Sequence, residues 1–118
     1  MSILIVEDDE FNQEVLQGFL KILCPNEDIY IVDNSKDALD IFKKKDIKLV
    51  FMDIALPGEN GIEIMKEMKK EKSNIPIVAF TAFAVSGDKE RLLLEGFDDY
   101  LSKPIKLENL QKLISKYI

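Results

Sequence analysis

The sequence contains no histidine and no tryptophan, and only one cysteine, Cys24. Without histidine, a Ser-His-Asp triad, an imidazole-ligated zinc and a phosphohistidine carried by this chain are all excluded. A single cysteine makes no internal disulfide, and its apolar context fits a small core residue. Five glycines and four prolines among 118 residues leave no low-complexity tract, so the signature of disorder is missing. The net charge is −6 and no basic run exceeds Lys43-Lys44-Lys45. Nothing supplies the positive stripe that phosphate backbones demand, so no direct nucleic-acid partner is expected. The N-terminus, MSILIVEDD, has no basic region and too short an apolar run for a signal peptide. The longest apolar stretch, 75–85, contains Pro76 and Thr81 and is too short to span a bilayer. A soluble, cytoplasmic protein without membrane insertion is expected. Its chemistry must run on carboxylates, hydroxyls, lysine and a hard metal.

Against these absences stand 47% hydrophobic and 32% charged residues, enough for one domain with a real core. Five short apolar runs predict strands: Ile3–Val6, Ile29–Val32, Leu49–Met52, Ile77–Phe80 and a weaker Tyr100–Leu101. Most are continuous rather than alternating, which suits strands buried on both faces of a parallel sheet. Helical spacing fills the gaps. Phe11, Val15, Phe19 and Leu23 recur every four residues and predict the buried face of a first helix. Ala38, Leu39, Ile41 and Phe42 mark a second, and Ile62, Met65 and Met68 a third. Leu92, Leu93 and Leu94 mark a fourth, with Gly96 placed as its C-terminal cap. Leu107, Leu110, Leu113, Ile114 and Tyr117 mark a fifth.

Strict βα alternation with short connections predicts an α/β domain with a parallel sheet. Five strands with right-handed crossovers point to a flavodoxin-like, doubly wound (βα)5 fold of order 2-1-3-4-5. In such sheets a ligand crevice lies beyond the carboxyl ends of the strands, where strands 1 and 3 are neighbours.

The chemistry-bearing residues fall at those ends. Glu7, Asp8 and Asp9 follow strand 1, Asp53 follows strand 3, Thr81 ends strand 4, and Ser102, Lys103 and Pro104 follow strand 5. Taken singly, each has a plainer role: the first acids and Thr81 as helix caps, Asp53 as a turn residue, Lys103 as a surface lysine. Together they form one constellation. Two carboxylates about 4 Å apart repel by roughly 4 kcal/mol at an effective dielectric near 20. Such a cluster persists where a cation neutralises it or where one acid stays protonated. An all-oxygen donor set suits Mg2+.

Four motifs in this order resemble the receiver domains of two-component response regulators, over the whole chain: ILIVEDD at 3–9, MDIALPGENG at 52–61, AFTAFA at 79–84 and DDYLSKPI at 98–105. EFNQEVL at 10–16 is especially like receivers attached to hybrid sensor kinases, although free-standing receivers share it. The resemblance implies a single receiver domain over residues 1–118, with no output domain after the last helix. It would be a signalling phospho-acceptor rather than an enzyme. Asp53 would take a phosphoryl group from a histidine kinase or histidine phosphotransfer protein, with Thr81 and Lys103 assisting. Mg2+ would be held by Asp8, Asp53 and the backbone carbonyl of Ala55, with Glu7 acting through water. Thr81 and Tyr100 would form the switch that alters the face of helix 4, strand 5 and helix 5 for a downstream protein partner. The Lys103-Pro104 peptide would be cis. Two departures stand out: the first acid is Glu7 rather than Asp, and Ala55 and Phe83, each two residues after a key position, cannot orient a hydrolytic water. Slow spontaneous loss of phosphate is therefore expected.

Other readings have less support. A flavin phosphate wants backbone amides and Ser, Thr or Gly after strand 1, where this chain has Glu-Asp-Asp. An aspartyl phosphatase would want a second acid at Ala55. A binding module indifferent to phosphorylation would not need all the pocket residues.

Overall fold

The computed structural model of the protein describes residues 2–82 and 88–118. Five strands, β1 (Ser2–Val6), β2 (Asp28–Val32), β3 (Ile47–Asp53), β4 (Ile77–Thr81) and β5 (Asp99–Ser102), alternate with five helices. These are α1 (Glu10–Leu23), α2 (Ser35–Lys44), α3 (Gly61–Glu71), α4 (Asp88–Glu95) and α5 (Leu107–Tyr117). The strands are all parallel and lie in the order β2-β1-β3-β4-β5, which is the predicted doubly wound sheet. Each predicted apolar run lies within a strand.

Side-chain alternation along the strands divides the core in two. On one face Leu4, Val6, Val50, Met52, Ile77 and Ala79 pack with residues of α2, α3 and α4. On the other, Ile3, Ile5, Leu49, Phe51, Val78 and Phe80 pack with α1 and α5. Burial on both faces explains why β1, β4 and the 49–52 run of β3 are apolar without a break.

The helix boundaries follow local chemistry. Asp9 caps α1 by accepting from the Asn12 N–H at 2.9 Å, and Asn34 and Asn60 cap α2 and α3 in the same manner. Gly96, at φ 128°, closes α4: its N–H bonds the Leu93 carbonyl, and the Phe97 N–H bonds that of Leu92. The Lys103-Pro104 peptide is cis.

Two predicted faces are corrected. In α1 the residues buried against the sheet are Leu16 and Leu20, while Phe11 is 70% exposed. Four-residue steps advance the helix by about 40° each, so the Phe11–Leu23 series starts on the solvent side and reaches the sheet only at its end. Of the three leucines of α4, Leu92 is fully buried and Leu93 and Leu94 are exposed, because three consecutive residues cannot share one helical face. Cys24 is buried and free, in keeping with a core role.

Candidate functional site

The carboxyl ends of β1, β3, β4 and β5 bring the predicted residues to one edge of the sheet. Glu7 directly follows β1, Asp53 is the last residue of β3, Thr81 the last of β4, and Lys103 directly follows β5. Glu7, Asp53 and Thr81 are all buried, an unusual fate for polar side chains. By alternation, Glu7, Asp53 and Lys103 continue the face that packs on α1 and α5. Thr81 and Tyr100 continue the opposite face, where Tyr100 is half-buried beside the core. Tyr100 lies across from Ala79, and Thr81 across from Ser102. The acid–lysine group and the hydroxyl–aromatic pair therefore meet only at the strand ends.

Lys103 joins the acids. Its Nζ lies 2.5 Å from Glu7 Oε1 and 3.3 Å from Asp53 Oδ2, and it stands 4.6 Å from the centre of the Phe80 ring. The apolar floor and ring restrict where the ammonium can go. Asp53 Oδ1 accepts from the Ala55 N–H at 3.0 Å, so the residue after next anchors the carboxylate. Glu7 Oε2 accepts from the Asp9 N–H at 3.1 Å. Burial is the strongest influence on Glu7 and pushes its carboxyl up to about 7; Lys103 and the Asp9 N–H pull it down, and Asp53 pushes it up further.

Glu7, Asp8 and Asp53 can each offer one carboxylate oxygen within 4.8 Å of the others. Glu7 Oε1 is buried, with the Lys103 ammonium beside it. Three carboxylates that can converge within 4.8 Å, with no softer ligand in the group, fit a hard divalent cation such as Mg2+.

A family model described as the response regulator receiver domain matches residues 3–115. The chain belongs to the response regulator receiver family. Among curated relatives of this receiver is the polar-differentiation response regulator DivK of Brucella anthropi, 34% identical over 99% of this chain and 95% of its own length. The receiver domain of the sensor histidine kinase PA1611 from Pseudomonas aeruginosa, solved with a magnesium ion coordinated in its active-site cleft, superposes with TM-score 0.84. It is 31% identical over 98% of this chain and 95% of that one. A chain from the co-crystal of the Saccharomyces cerevisiae phosphotransfer protein Ypd1 with the receiver domain of Ssk1 also scores 0.84. It is 33% identical over 99% of this chain and 88% of that one. The fold, the family and the two-component signalling class of this receiver are thus those expected from its motifs.

Two site residues, Gly61 and Gln13, lie within the motifs but take from them no role of their own. Gly61, the first residue of α3, touches the backbone of Asp53: a Cβ there would lie 2.2 Å from the Asp53 carbonyl oxygen. Gln13 of α1 donates from Nε2 to the Glu7 carbonyl at 2.6 Å. The signal for Gly61 was its place in the turn after Asp53; for Gln13 it was a polar residue on a helix face otherwise given to leucine. Phe83 lies outside the described residues. Among the described residues, no helix is long and apolar enough to cross a membrane.

Proposed function

We propose that Asp53 of this receiver accepts a phosphoryl group from a phosphohistidine on a separate histidine kinase or histidine phosphotransfer protein. The observation that carries this reading is the buried Asp53 carboxylate, 3.3 Å from Lys103 and grouped with Glu7 and Asp8. An Asp53 oxygen forms the new bond to phosphorus as the phosphorus–nitrogen bond breaks. The electron pair of that bond leaves on the donor imidazole. Lys103 offsets negative charge on the phosphoryl oxygens in transit. Asp8, Asp53 and the backbone carbonyl of Ala55 would hold Mg2+, with Glu7 acting through water. The bound ion supplies further positive charge to those oxygens.

Thr81 bonds the new phosphate through its hydroxyl, and Tyr100 turns inward toward it. The sharing of one sheet face by these two residues supports the coupling. The change is read by a downstream protein on the face of α4, β5 and α5, where a groove of about 350 Å3 is lined by Lys89, Tyr100, Asn109 and Lys112 among others. Incubation with a labelled phosphohistidine donor and Mg2+ tests the acceptor. Asp53→Asn should abolish labelling while leaving the circular dichroism spectrum unchanged. Undiminished labelling of that variant would place the acceptor elsewhere.

A further inference from the structure

Gln13 occupies a position on α1 where an apolar residue would extend the core. It precedes Leu16 by three residues and Leu20 by seven, and lies only about 20° from Leu20 around the helix. It is half-buried, and its side chain reaches back to the end of β1 to donate to the Glu7 carbonyl at 2.6 Å. That carbonyl and the Asp8 N–H belong to one rigid peptide plane. The bond therefore fixes the direction in which the chain enters Asp8.

The remaining bonds of this loop hold other parts. The Glu7 N–H donates to the Val32 carbonyl at 2.9 Å, securing the residue before the plane. The Asp9 N–H bonds Glu7 Oε2, while the Asp9 side chain and carbonyl are engaged by the first turn of α1. Gln13 is the side chain that grips the plane between Glu7 and Asp8, the two acids the loop contributes to the cluster with Asp53. Repulsion among those acids, offset in part by Lys103, favours opening of the loop, and the Gln13 bond opposes it.

We infer that Gln13 is a positioning residue for the Mg2+ site: its amide holds the Glu7–Asp8 peptide so that both carboxylates stay directed at the position of the metal. This rests on the metal reading given above. Outer partners that orient ligands contribute measurably to metal affinity. Here the lost contact is one hydrogen bond to a backbone carbonyl.

Titration with MgCl2, followed by the backbone amide shifts of Asp8, Asp9 and Asp53, tests the inference without any phosphodonor. Gln13→Met keeps length and volume but removes the donor, and should bind Mg2+ about fivefold more weakly. Gln17→Met, one turn further along α1, should match wild type. Binding by Gln13→Met within twofold of wild type, or equal weakening in Gln17→Met, overturns the inference. If Gln13→Met does not fold, the wild-type side-chain amide decides: its protons should exchange slowly with solvent, and random-coil exchange overturns the inference. A wild type that binds no Mg2+ overturns the metal reading and this inference together. Normal wild-type binding with an unaffected Gln13→Met overturns this inference alone.

Discussion

Asp53, the proposed acceptor, is placed as much by a missing atom as by the groups around it. Gly61 lets the start of α3 lie against the Asp53 and Ile54 backbone, where a Cβ would come within 2.2 Å of the Asp53 carbonyl oxygen and 2.7 Å of the Ile54 Cα. Both obstacles are backbone at the end of a central strand, so neither can swing aside as a side chain would. Gly61→Ala should cost about 2 kcal/mol, the usual scale of overpacking, measured as a shift in the urea unfolding midpoint. Labelling of Asp53 should slow as well, because the strain falls on the acceptor's own peptide. A stability change below about 0.5 kcal/mol would mean that α3 can slide away without loss.

At the scale of elements, α1 separates two kinds of hydrophobic residue that its sequence does not distinguish. Leu16 is fully buried between α1 and the sheet, and Phe11 is 70% exposed. Leu16→Ala should destabilise the fold by about 3 kcal/mol, and Phe11→Ala by no more than about 0.5 kcal/mol, both read from chemical denaturation. A second inter-element tie joins β5 to α5. Asp99 accepts from Lys116 Nζ at 3.0 Å, the Tyr117 hydroxyl at 3.1 Å and the Tyr100 N–H at 2.9 Å. Burial raises its pKa, but these donors together outweigh it and hold the carboxyl below its ordinary value of 3.8. A carboxylate with a depressed folded pKa adds stability that is fully present above the unfolded value and is lost as pH falls through the folded one. Wild type should therefore lose this contribution below about pH 4, whereas Asp99→Asn should show a shallower acid slope. Unfolding midpoints measured from pH 2 to pH 6 provide the comparison, and parallel slopes would show that the tie has no net electrostatic value.

For the whole molecule, the acid cluster sets a term that a bound cation should relieve. An ion that binds only the folded state stabilises it by mass action, about 1.4 kcal/mol at ten times the dissociation constant. For a domain of this size that is a rise in Tm of roughly 5 °C. Differential scanning calorimetry in MgCl2, against NaCl of equal ionic strength, should show the rise only with magnesium. Equal shifts in the two salts would reduce the effect to screening of the net charge of −6.

Much of this receiver was legible in its residues alone. Unbroken apolar runs define β1, β3 and β4, because strands buried on both faces need no alternation. The polar residues that follow them mark the edge where the chain leaves the sheet, so the sequence alone assigns Glu7, Asp53, Thr81 and Lys103 to one crevice. Periodicity could not say which side of α1 meets the sheet, since an apolar stripe that drifts around a helix is compatible with more than one packing angle. The tertiary structure settled that by burying Leu16 and Leu20 in the core on the α1 and α5 side of the sheet, and it brought Gln13 to the Glu7 carbonyl and Gly61 to the Asp53 backbone. Local sequence determines which segments form strands and helices and which chemistry each end carries. Only packing determines which helix face is covered, and how closely one backbone may approach another, because those depend on contacts between residues distant along the chain.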